Sequence, residues 1–165
     1  MFINRFINPI FNMRICVGGT FDRFHKGHKT LIKKAFEVIG ESGTVFIGLA
    51  KGDLVRNKKN IRPFHMRKRE LKKFLINKGF NNQAVIVPIT NKYGLTLDED
   101  FDAIVISPET EKIAIQINKK RILKGKKPLK IIKIPYILAE DDKPISSTRV
   151  KNKEIDENGN IFKRH

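Results

Sequence analysis

Two short segments of this chain carry residues suited to binding phosphate. The first, Gly18–His28, places two glycines after an apolar run and then sets His25 and His28 on either side of Gly27. Glycines let a ligand approach the backbone, and the free N–H groups at a helix start favour anions. Imidazoles placed there can donate hydrogen bonds to phosphate oxygens as negative charge builds. The segment lacks the Gly-Lys-Ser/Thr ending of a Walker loop and the spacing of a dinucleotide fingerprint, so another kind of phosphate site is indicated.

The second segment, Ile145–Arg149, places three hydroxyl residues at the start of a predicted late helix. Hydroxyls and backbone N–H groups in that position bind phosphate oxygens, although the same residues also serve as ordinary helix caps. A metal-centred interpretation is less favoured for the histidine segment. His25 and His28 have no evident third ligand, and Cys16 is the only cysteine of the chain, so we predict no protein-held metal.

The elements that must position these segments follow from apolar patterning. Runs without polar alternation, separated by helical patterns, are typical of a parallel sheet covered on both faces. We predict a single Rossmann-like α/β domain with about five parallel strands and helices on both faces. The predicted strands are 13–17, 44–49, 84–89, 103–106 and 130–134, and the predicted helices are 31–39, 63–78 and 110–124.

Ligands of such sheets bind beyond the carboxyl ends of the strands, where loops lead into helices. Both phosphate segments are predicted to lie there, together with a Lys-rich loop at 50–62 and the short segment Ser107–Glu111. Chemistry is therefore expected at one edge of the sheet. Segments 126–128 and 154–160 are expected to be plain surface.

Composition limits the classes of function. The chain has 165 residues, a formal charge of +17 and a pI near 10.1. A basic surface suits nucleic acid, a small polyphosphate, or the Lys-rich surface typical of hot-adapted proteins. No apolar run is long enough to span a membrane, and the single cysteine fits a reducing cytoplasm, where we expect the protein to act.

The first twelve residues, MFINRFINPIFN, precede the first predicted strand and lack the cleavage site of a signal peptide. We interpret residues 1–12 as an N-terminal extension that is either a mis-assigned start or a loosely docked arm. The functional domain is then expected to span residues 13–165.

Two segments of the sequence resemble the signatures of a known superfamily. Thr-Phe-Asp followed by His-Lys-Gly-His is similar to the first signature of the nucleotidyltransferases, and Ile145–Arg149 is similar to their second. Within that superfamily the chain most resembles the archaeal and eukaryotic type of phosphopantetheine adenylyltransferase. Further stretches carry this resemblance: 47–49, 61–64, Tyr93-Gly94, 105–110, Ile117-Asn118, Arg121 and 145–150.

The resemblance implies transfer of AMP from ATP to 4′-phosphopantetheine by direct in-line displacement, with release of pyrophosphate. ATP in turn implies Mg²⁺, held by phosphates and water. Adenylyl transfer to FMN or nicotinamide mononucleotide, and cytidylyl transfer to a phosphoalcohol, share both signatures and stay open as alternatives. From another class, a basic nucleic-acid-binding module would need aromatic stacking residues beside a basic face. The chain has only two Tyr and no Trp, so no nucleic-acid partner is expected, and the oligomeric state is left undecided.

The same resemblance implies roles for individual residues. Thr20 and His28 are implied to contact the reacting phosphates, with a cation from Lys58 or Lys59 and with Lys51 and Arg56 as competitors. Acceptor binding is assigned to Thr20, Asp22 and Lys51, although Asp22 has a simpler interpretation as a loop cap. Nucleotide binding is assigned to Gly18, Gly19, Phe21, His25, Gly27, Ser107, Glu109, Thr110, Ser146, Ser147, Thr148 and Arg149.

Overall fold

One five-stranded sheet organises the chain, of which the computed structural model describes residues 12–163. Its strands lie in the order β3-β2-β1-β4-β5, and each neighbouring pair is parallel. This confirms the predicted fold class. The strands are β1 (Arg14–Gly19), β2 (Thr44–Ala50), β3 (Ala84–Ile89), β4 (Ala103–Ile106) and β5 (Lys130–Lys133).

Helices cover both faces of the sheet. Within the described residues the α-helices are α1 (Lys26–Ile39), α2 (Asp53–Arg56), α3 (Phe64–Asn77), α4 (Glu111–Leu123) and α5 (Ser147–Lys151), and a 3₁₀ turn at Pro108–Thr110 precedes α4. The short α2 was not expected within the Lys-rich loop. None of the helices in residues 12–163 is long and apolar enough to cross a membrane.

The main core lies between the sheet and the helices α1 and α3. Apolar residues at helical spacing on α1, Leu31, Ile32, Ala35, Phe36 and Ile39, are all buried there, as their spacing predicts. The opposite face of the sheet is covered by α4, whose Ala114 and Ile117 belong to a second, smaller core. The two layers hold the sheet rigid, so its edge can carry a precisely shaped site.

The chain reverses its direction across the sheet between β1 and β4. It runs outward from β1 through β2 to β3, and then returns to place β4 on the other side of β1. The loops after β1 and β4 therefore diverge and leave a crevice at the carboxyl ends of these two strands. Gly18–Thr20 and Ser107 lie at that edge.

Residues 154–160 were expected to be plain surface, and this expectation was wrong for Ile155 and Gly159, although most of the other residues of the segment are exposed. Ile155 is fully buried and pairs with Ile161. In addition, the backbone carbonyl of Glu157 accepts a 2.8 Å hydrogen bond from the N–H of Lys26, the first residue of α1. The tail is thus packed beside the histidine segment. The predicted N-terminal extension, residues 1–12, lies outside the described residues apart from Asn12.

Candidate active site

The loop between β1 and α1 is shaped by two residues with left-handed backbone. Phe21 and Arg23 have φ angles of 48° and 50°, a region that non-glycine residues rarely adopt. The buried ring of Phe21 lies against Gly19, where an added Cβ would stand only 3.2 Å from the ring. The close approach of this ring therefore favours glycine at position 19, because a larger residue would require the ring to shift. Because Gly19 and Phe21 flank Thr20, their packing fixes the backbone of Thr20.

His25 and His28 cap the first turn of α1 reciprocally. Nδ1 of His25 accepts hydrogen bonds from the backbone N–H groups of Gly27 (3.1 Å) and His28 (3.4 Å), and Nδ1 of His28 accepts one from the N–H of His25 (3.3 Å). A Cβ at position 27 would lie 3.0 Å from the His25 ring, so glycine is favoured there as well. The arrangement is a capping box built from two imidazoles instead of a hydroxyl and a carboxyl group.

The first N–H groups of α1 are consequently occupied. The N–H of Lys26 donates to the carbonyl of Glu157, and those of Gly27 and His28 donate to His25. The expectation that phosphate would bind free N–H groups at this helix start was wrong, because these three donors already have protein acceptors. An anion beside this turn meets the histidine rings instead.

The hydrogen bonds assign the same tautomer to both histidines. Since each Nδ1 accepts a backbone hydrogen bond, each ring carries its proton on Nε2. Burial lowers the pKa of His25 to about 4, and the charge of Lys29 adds to this effect. Burial also holds the pKa of His28 well below its usual value, with His25 contributing. Both rings are therefore neutral at pH 7, and each offers one Nε2–H donor.

Aromatic packing holds His28 in place. Its ring stacks on that of His25 at a centroid distance of 3.7 Å, and the rings of Phe21 and Phe24 lie 5.3 Å and 5.8 Å away. A side chain enclosed in this way has little freedom to rotate. His28 is therefore oriented before any ligand arrives, as electrostatic stabilisation of a reacting group requires.

Thr20 and Lys58 join the loop after β1 to the Lys-rich loop after β2. The Lys58 ammonium donates a 2.6 Å hydrogen bond to Oγ1 of Thr20. An ammonium can only donate, so the Thr20 hydroxyl accepts from it and keeps its own proton for a ligand. Between the two lysines that the sequence left as alternatives, the structure brings Lys58 to Thr20. The backbone carbonyl of Lys59 accepts a hydrogen bond from Lys151 instead.

The two phosphate segments meet through one hydrogen bond. The Ser147 hydroxyl donates to the backbone carbonyl of Asp22 at 2.7 Å, although the two residues are far apart in the sequence. Ser146 is the N-cap of α5, and its Oγ accepts from the N–H of Arg149 at 3.3 Å. Thr148 remains exposed. The second segment therefore acts both as a helix cap and as one wall of the site.

A polar cavity of about 960 Å³ opens between these segments. Thr110 also lies here and donates from Oγ1 to the carbonyl of Ser107 at 3.2 Å. The structure thus gathers most of the predicted site residues around one space. The predicted residues that line it are Gly18, Gly19, Thr20, Phe21, Asp22, His25, Gly27, His28, Lys58, Lys59, Ser107, Glu109, Thr110, Ser146, Ser147 and Thr148.

A second cavity, of about 220 Å³ and mainly apolar, lies between the sheet and α4. Phe46 and Ile104 contribute to its walls from the sheet, and Ile117 does so from α4. Cys16 lines it too, and burial raises the pKa of this thiol to about 12, so it is a neutral wall. The two cavities share five lining residues, Gly18, Gly19, Thr20, Lys58 and Thr110.

Comparison with known proteins agrees with this geometry. The sequence profile of the cytidylyltransferase-like family matches residues 16–153. Phosphopantetheine adenylyltransferase of Archaeoglobus fulgidus is 44% identical over 91% of this chain and all of its own length, and that of Methanosarcina mazei is 40% identical over 91% of this chain and 97% of its own. The chain belongs to the phosphopantetheine adenylyltransferase family. It is a nucleotidyltransferase.

A solved structure supports the same relationship. A protein of unknown function from Archaeoglobus fulgidus superposes with a TM-score of 0.67 at 40% identity, covering 74% of this chain and 89% of that chain. Sequence and fold therefore agree over most of the described residues.

Two residues to which the family resemblance gave a binding role lie outside both cavities. Lys51 is exposed, with its ammonium 5.5 Å from the ring centroid of Phe64. Arg149 donates to the carboxylates of Asp141 (2.6 Å) and Glu154 (3.0 Å), and the hydrogen bond to Asp141 raises the pKa of Arg149. Neither placement supports the expected contact with substrate, because both cations are engaged elsewhere.

The side chain of Asp22 connects the loop after β1 to the loop after β2. Its side chain is buried, and Oδ1 accepts from the backbone N–H of Arg62 at 3.2 Å, which is a contact between two loops. The ammonium of Lys151 lies 4.0 Å from Oδ2 and lines the polar cavity. The position of Lys151 in the polar cavity was not predicted from the sequence. Its spacing of four residues after Ser147 on the same helix was the available signal.

A group of side chains beside the apolar cavity was also not predicted from the sequence. Tyr93 lines the cavity, and the ammonium groups of Lys92 and Lys120 lie 5.1 Å and 5.3 Å from its ring centroid. Gln116 accepts hydrogen bonds from Lys92 (3.2 Å) and from the Tyr93 hydroxyl (3.4 Å). The only hint in the sequence was that Tyr93-Gly94 resembles the family, because these contacts join a loop to a helix that follows much later.

Proposed function

We propose that this nucleotidyltransferase transfers AMP from ATP to 4′-phosphopantetheine, forming dephospho-coenzyme A and pyrophosphate. One observation carries the proposal: a polar, phosphate-suited cavity and an apolar cavity meet at Thr20 and Lys58. The hydroxyl, imidazole and ammonium groups that line the polar cavity suit the phosphates of ATP. The acceptor needs a cation for its phosphate and a long uncharged channel for its arm.

The acceptor phosphate is ionised at pH 7 and is itself the nucleophile, so positioning and charge stabilisation can supply most of the catalysis. One of its oxygens forms a bond to the α-phosphorus of ATP while the bond from that phosphorus to the oxygen bridging to the β-phosphorus breaks. The electron pair of the broken bond leaves with pyrophosphate. In this proposal the Thr20 hydroxyl and the Lys58 ammonium orient the two phosphates that react.

Charge that develops on the α-phosphate is stabilised by neutral donors. The Nε2–H groups of His25 and His28 suit this role because they require no proton uptake and are already oriented by the capping box. Ser146, Ser147 and Lys151 line the same cavity and are proposed to hold the departing pyrophosphate.

Mg²⁺ is proposed to enter with ATP, as part of the substrate. Within residues 12–163 no group of three or more carboxylate, imidazole or thiol side chains lies close enough together to hold a metal ion. The donors around the polar cavity are mostly hydroxyls, imidazoles and ammonium groups. Phosphate oxygens and water are therefore the proposed ligands of the ion, which neutralises phosphate charge.

The lining of the second cavity supports the choice of acceptor. Nicotinamide mononucleotide would bring a charged pyridinium ring into walls made of Phe46, Ile104 and Ile117, where a buried charge lacks a partner. The named relatives also favour phosphopantetheine over FMN and over the alcohols of cytidylyl transfer.

Incubation of the protein with ATP and one acceptor at a time tests the proposal. Pyrophosphate release is followed, and the nucleotide product is identified by mass. With ATP we expect dephospho-coenzyme A from 4′-phosphopantetheine, and only background pyrophosphate release from FMN or nicotinamide mononucleotide. A separate assay of phosphocholine with CTP should likewise give only background release. Turnover of FMN together with no turnover of 4′-phosphopantetheine would overturn the proposal.

A further inference from the structure

Two arginines are buried almost completely, Arg67 on α3 and Arg121 on α4, with 1% and 2% of their surface exposed. A buried guanidinium is costly unless its N–H groups find acceptors. Both side chains use backbone carbonyl groups for this purpose. Arg121 donates to the carbonyls of Thr96 (2.5 Å), Glu99 (3.0 Å) and Lys127 (2.8 Å).

The acceptors of Arg67 belong to the proposed reaction centre. Its Nη1 donates to the carbonyl of Thr20 at 2.7 Å and to that of Ala50 at 2.9 Å, and its Nε donates to the carbonyl of Arg62 at 2.9 Å. Ala50 and Arg62 are the two ends of the Lys-rich loop, so the guanidinium holds both ends of the loop that carries Lys58. One side chain thereby fixes Thr20 and the frame of Lys58 together.

We propose that Arg67 is a positioning residue for AMP transfer: it fixes Thr20 and the loop of Lys58 so that the hydroxyl and the ammonium face the two reacting phosphates. The proposal rests on the proposed function. Arg67 lines neither cavity and so acts through Thr20 and Lys58 without touching substrate. Misplacing reacting groups by about 1 Å can lower a rate by about 10².

Charge provides a second link between Arg67 and Lys58. Burial lowers the pKa of Lys58, and the positive charges of Arg67 and Lys151 lower it further. The carboxylates of Asp22 and Glu109 oppose these effects. These four groups approach Lys58 from α3, α5, the loop after β1 and the turn before α4. Because Lys58 must be protonated to donate, activity declines as pH rises through its pKa, and removal of Arg67 moves that decline to higher pH.

The test compares Arg67→Met, Arg67→Lys and Arg121→Met in the full-length protein. Arg121→Met is the matched control, since it also removes a buried guanidinium but leaves the carbonyl of Thr20 bonded. Wild-type formation of dephospho-coenzyme A is measured first, so that failure of the proposed function is recognised separately. Circular dichroism establishes folding, and kcat, both KM values and the pH profile of kcat follow.

For Arg67→Met we expect kcat to fall by about 10², a KM for ATP within about threefold of wild type, and an alkaline limb at higher pH. Arg67→Lys keeps the charge and part of the hydrogen bonding, so its kcat should be roughly tenfold higher than that of Arg67→Met. The alkaline decline in its kcat should occur at the same pH as in the wild type. Arg121→Met should lose stability without moving the limb.

A folded Arg67→Met protein with wild-type kcat, or with an unmoved alkaline limb, would overturn the proposal. If Arg67→Met does not fold, the kcat of Arg67→Lys tests the proposal by itself. A loss in kcat of about tenfold, at unchanged KM for ATP, supports the proposal, and an unchanged kcat contradicts it.

Discussion

The two cavities that meet at Thr20 are built in different ways. The polar cavity is lined by loops and helix starts, and its key groups come from two compact segments, Gly18–His28 and Ser146–Thr148. The apolar cavity is lined mainly by strand faces, by α4 and by the loop residues 92–96, with residues spread from Cys16 to Ile117. Phosphate recognition is thus concentrated in short motifs, whereas the proposed recognition of the acceptor arm is distributed over many single positions. Variants in each cavity should affect different kinetic constants.

The largest effect is expected from His28→Ala in the polar cavity. Loss of one oriented donor to the developing charge should lower kcat by about 10² to 10³ and leave the KM for ATP nearly unchanged. Steady-state kinetics with both substrates varied give the two values. A variant with wild-type kcat would show that His28 does not act on the transition state.

A somewhat smaller loss is expected at the junction of the cavities. Lys58→Met removes the ammonium that lies 2.6 Å from Thr20, and kcat should fall by about 10². Lys59→Met is the matched control, because Lys59 also lines the polar cavity but the hydrogen bond to Thr20 comes from Lys58, and kcat should fall by less than about fivefold. Equal losses in the two variants would remove the distinction between these lysines.

Separate variants of the two cavities should dissociate the two KM values. Ala114→Leu adds bulk where α4 lines the apolar cavity, and should raise the KM for 4′-phosphopantetheine by about tenfold with little change for ATP. Thr148→Val removes a hydroxyl from the polar cavity and should raise the KM for ATP by roughly fivefold. The reverse pattern would exchange the assignments of the two cavities.

The smallest effects concern pH. The pKa of His25 is about 4 in the folded protein and 6.5 in its ordinary state, so between these values the unfolded chain binds the extra proton. Stability from His25 is therefore complete above pH 6.5 and is lost as pH falls towards 4, by about 1 to 2 kcal/mol between pH 7 and pH 5.

Denaturant titrations at several pH values measure this loss, and His25→Asn, which keeps a capping side chain, should weaken the pH dependence. Ionisation of the histidines should contribute no change in the kcat of the wild-type protein between about pH 8 and about pH 6, because both rings are neutral throughout. A kcat that falls as pH rises through about 6.5 would show instead that a charged imidazole takes part.

The contrast between the cavities also explains what could be predicted from the sequence. The strands at Ala84–Ile89 and Ala103–Ile106 were predicted with the observed bounds, since each is an uninterrupted apolar run between polar segments. The helix α2 was missed because a single turn of four residues is too short to show a periodicity. Local patterns thus predicted the sheet and the two segments that line the polar cavity.

Features that depend on distant partners could not be predicted. A charged residue on a helix is ordinarily expected to face solvent, and nothing local marks Arg67 as buried, because its acceptors are carbonyl groups at Thr20, Ala50 and Arg62. The choice between Lys58 and Lys59 likewise follows from how the loop after β2 approaches Thr20. The lining of the apolar cavity exists only after α4 packs on the sheet.

A crystal structure with dephospho-coenzyme A bound tests the central claim most directly, since this product carries both halves of the reaction. We expect the adenosine in the polar cavity, the pantetheine arm in the apolar cavity beside Tyr93 and α4, and a phosphate oxygen within hydrogen-bond distance of Thr20 and His28. A pantetheine arm that lies outside the apolar cavity, or a product whose phosphates contact neither residue, would contradict the account.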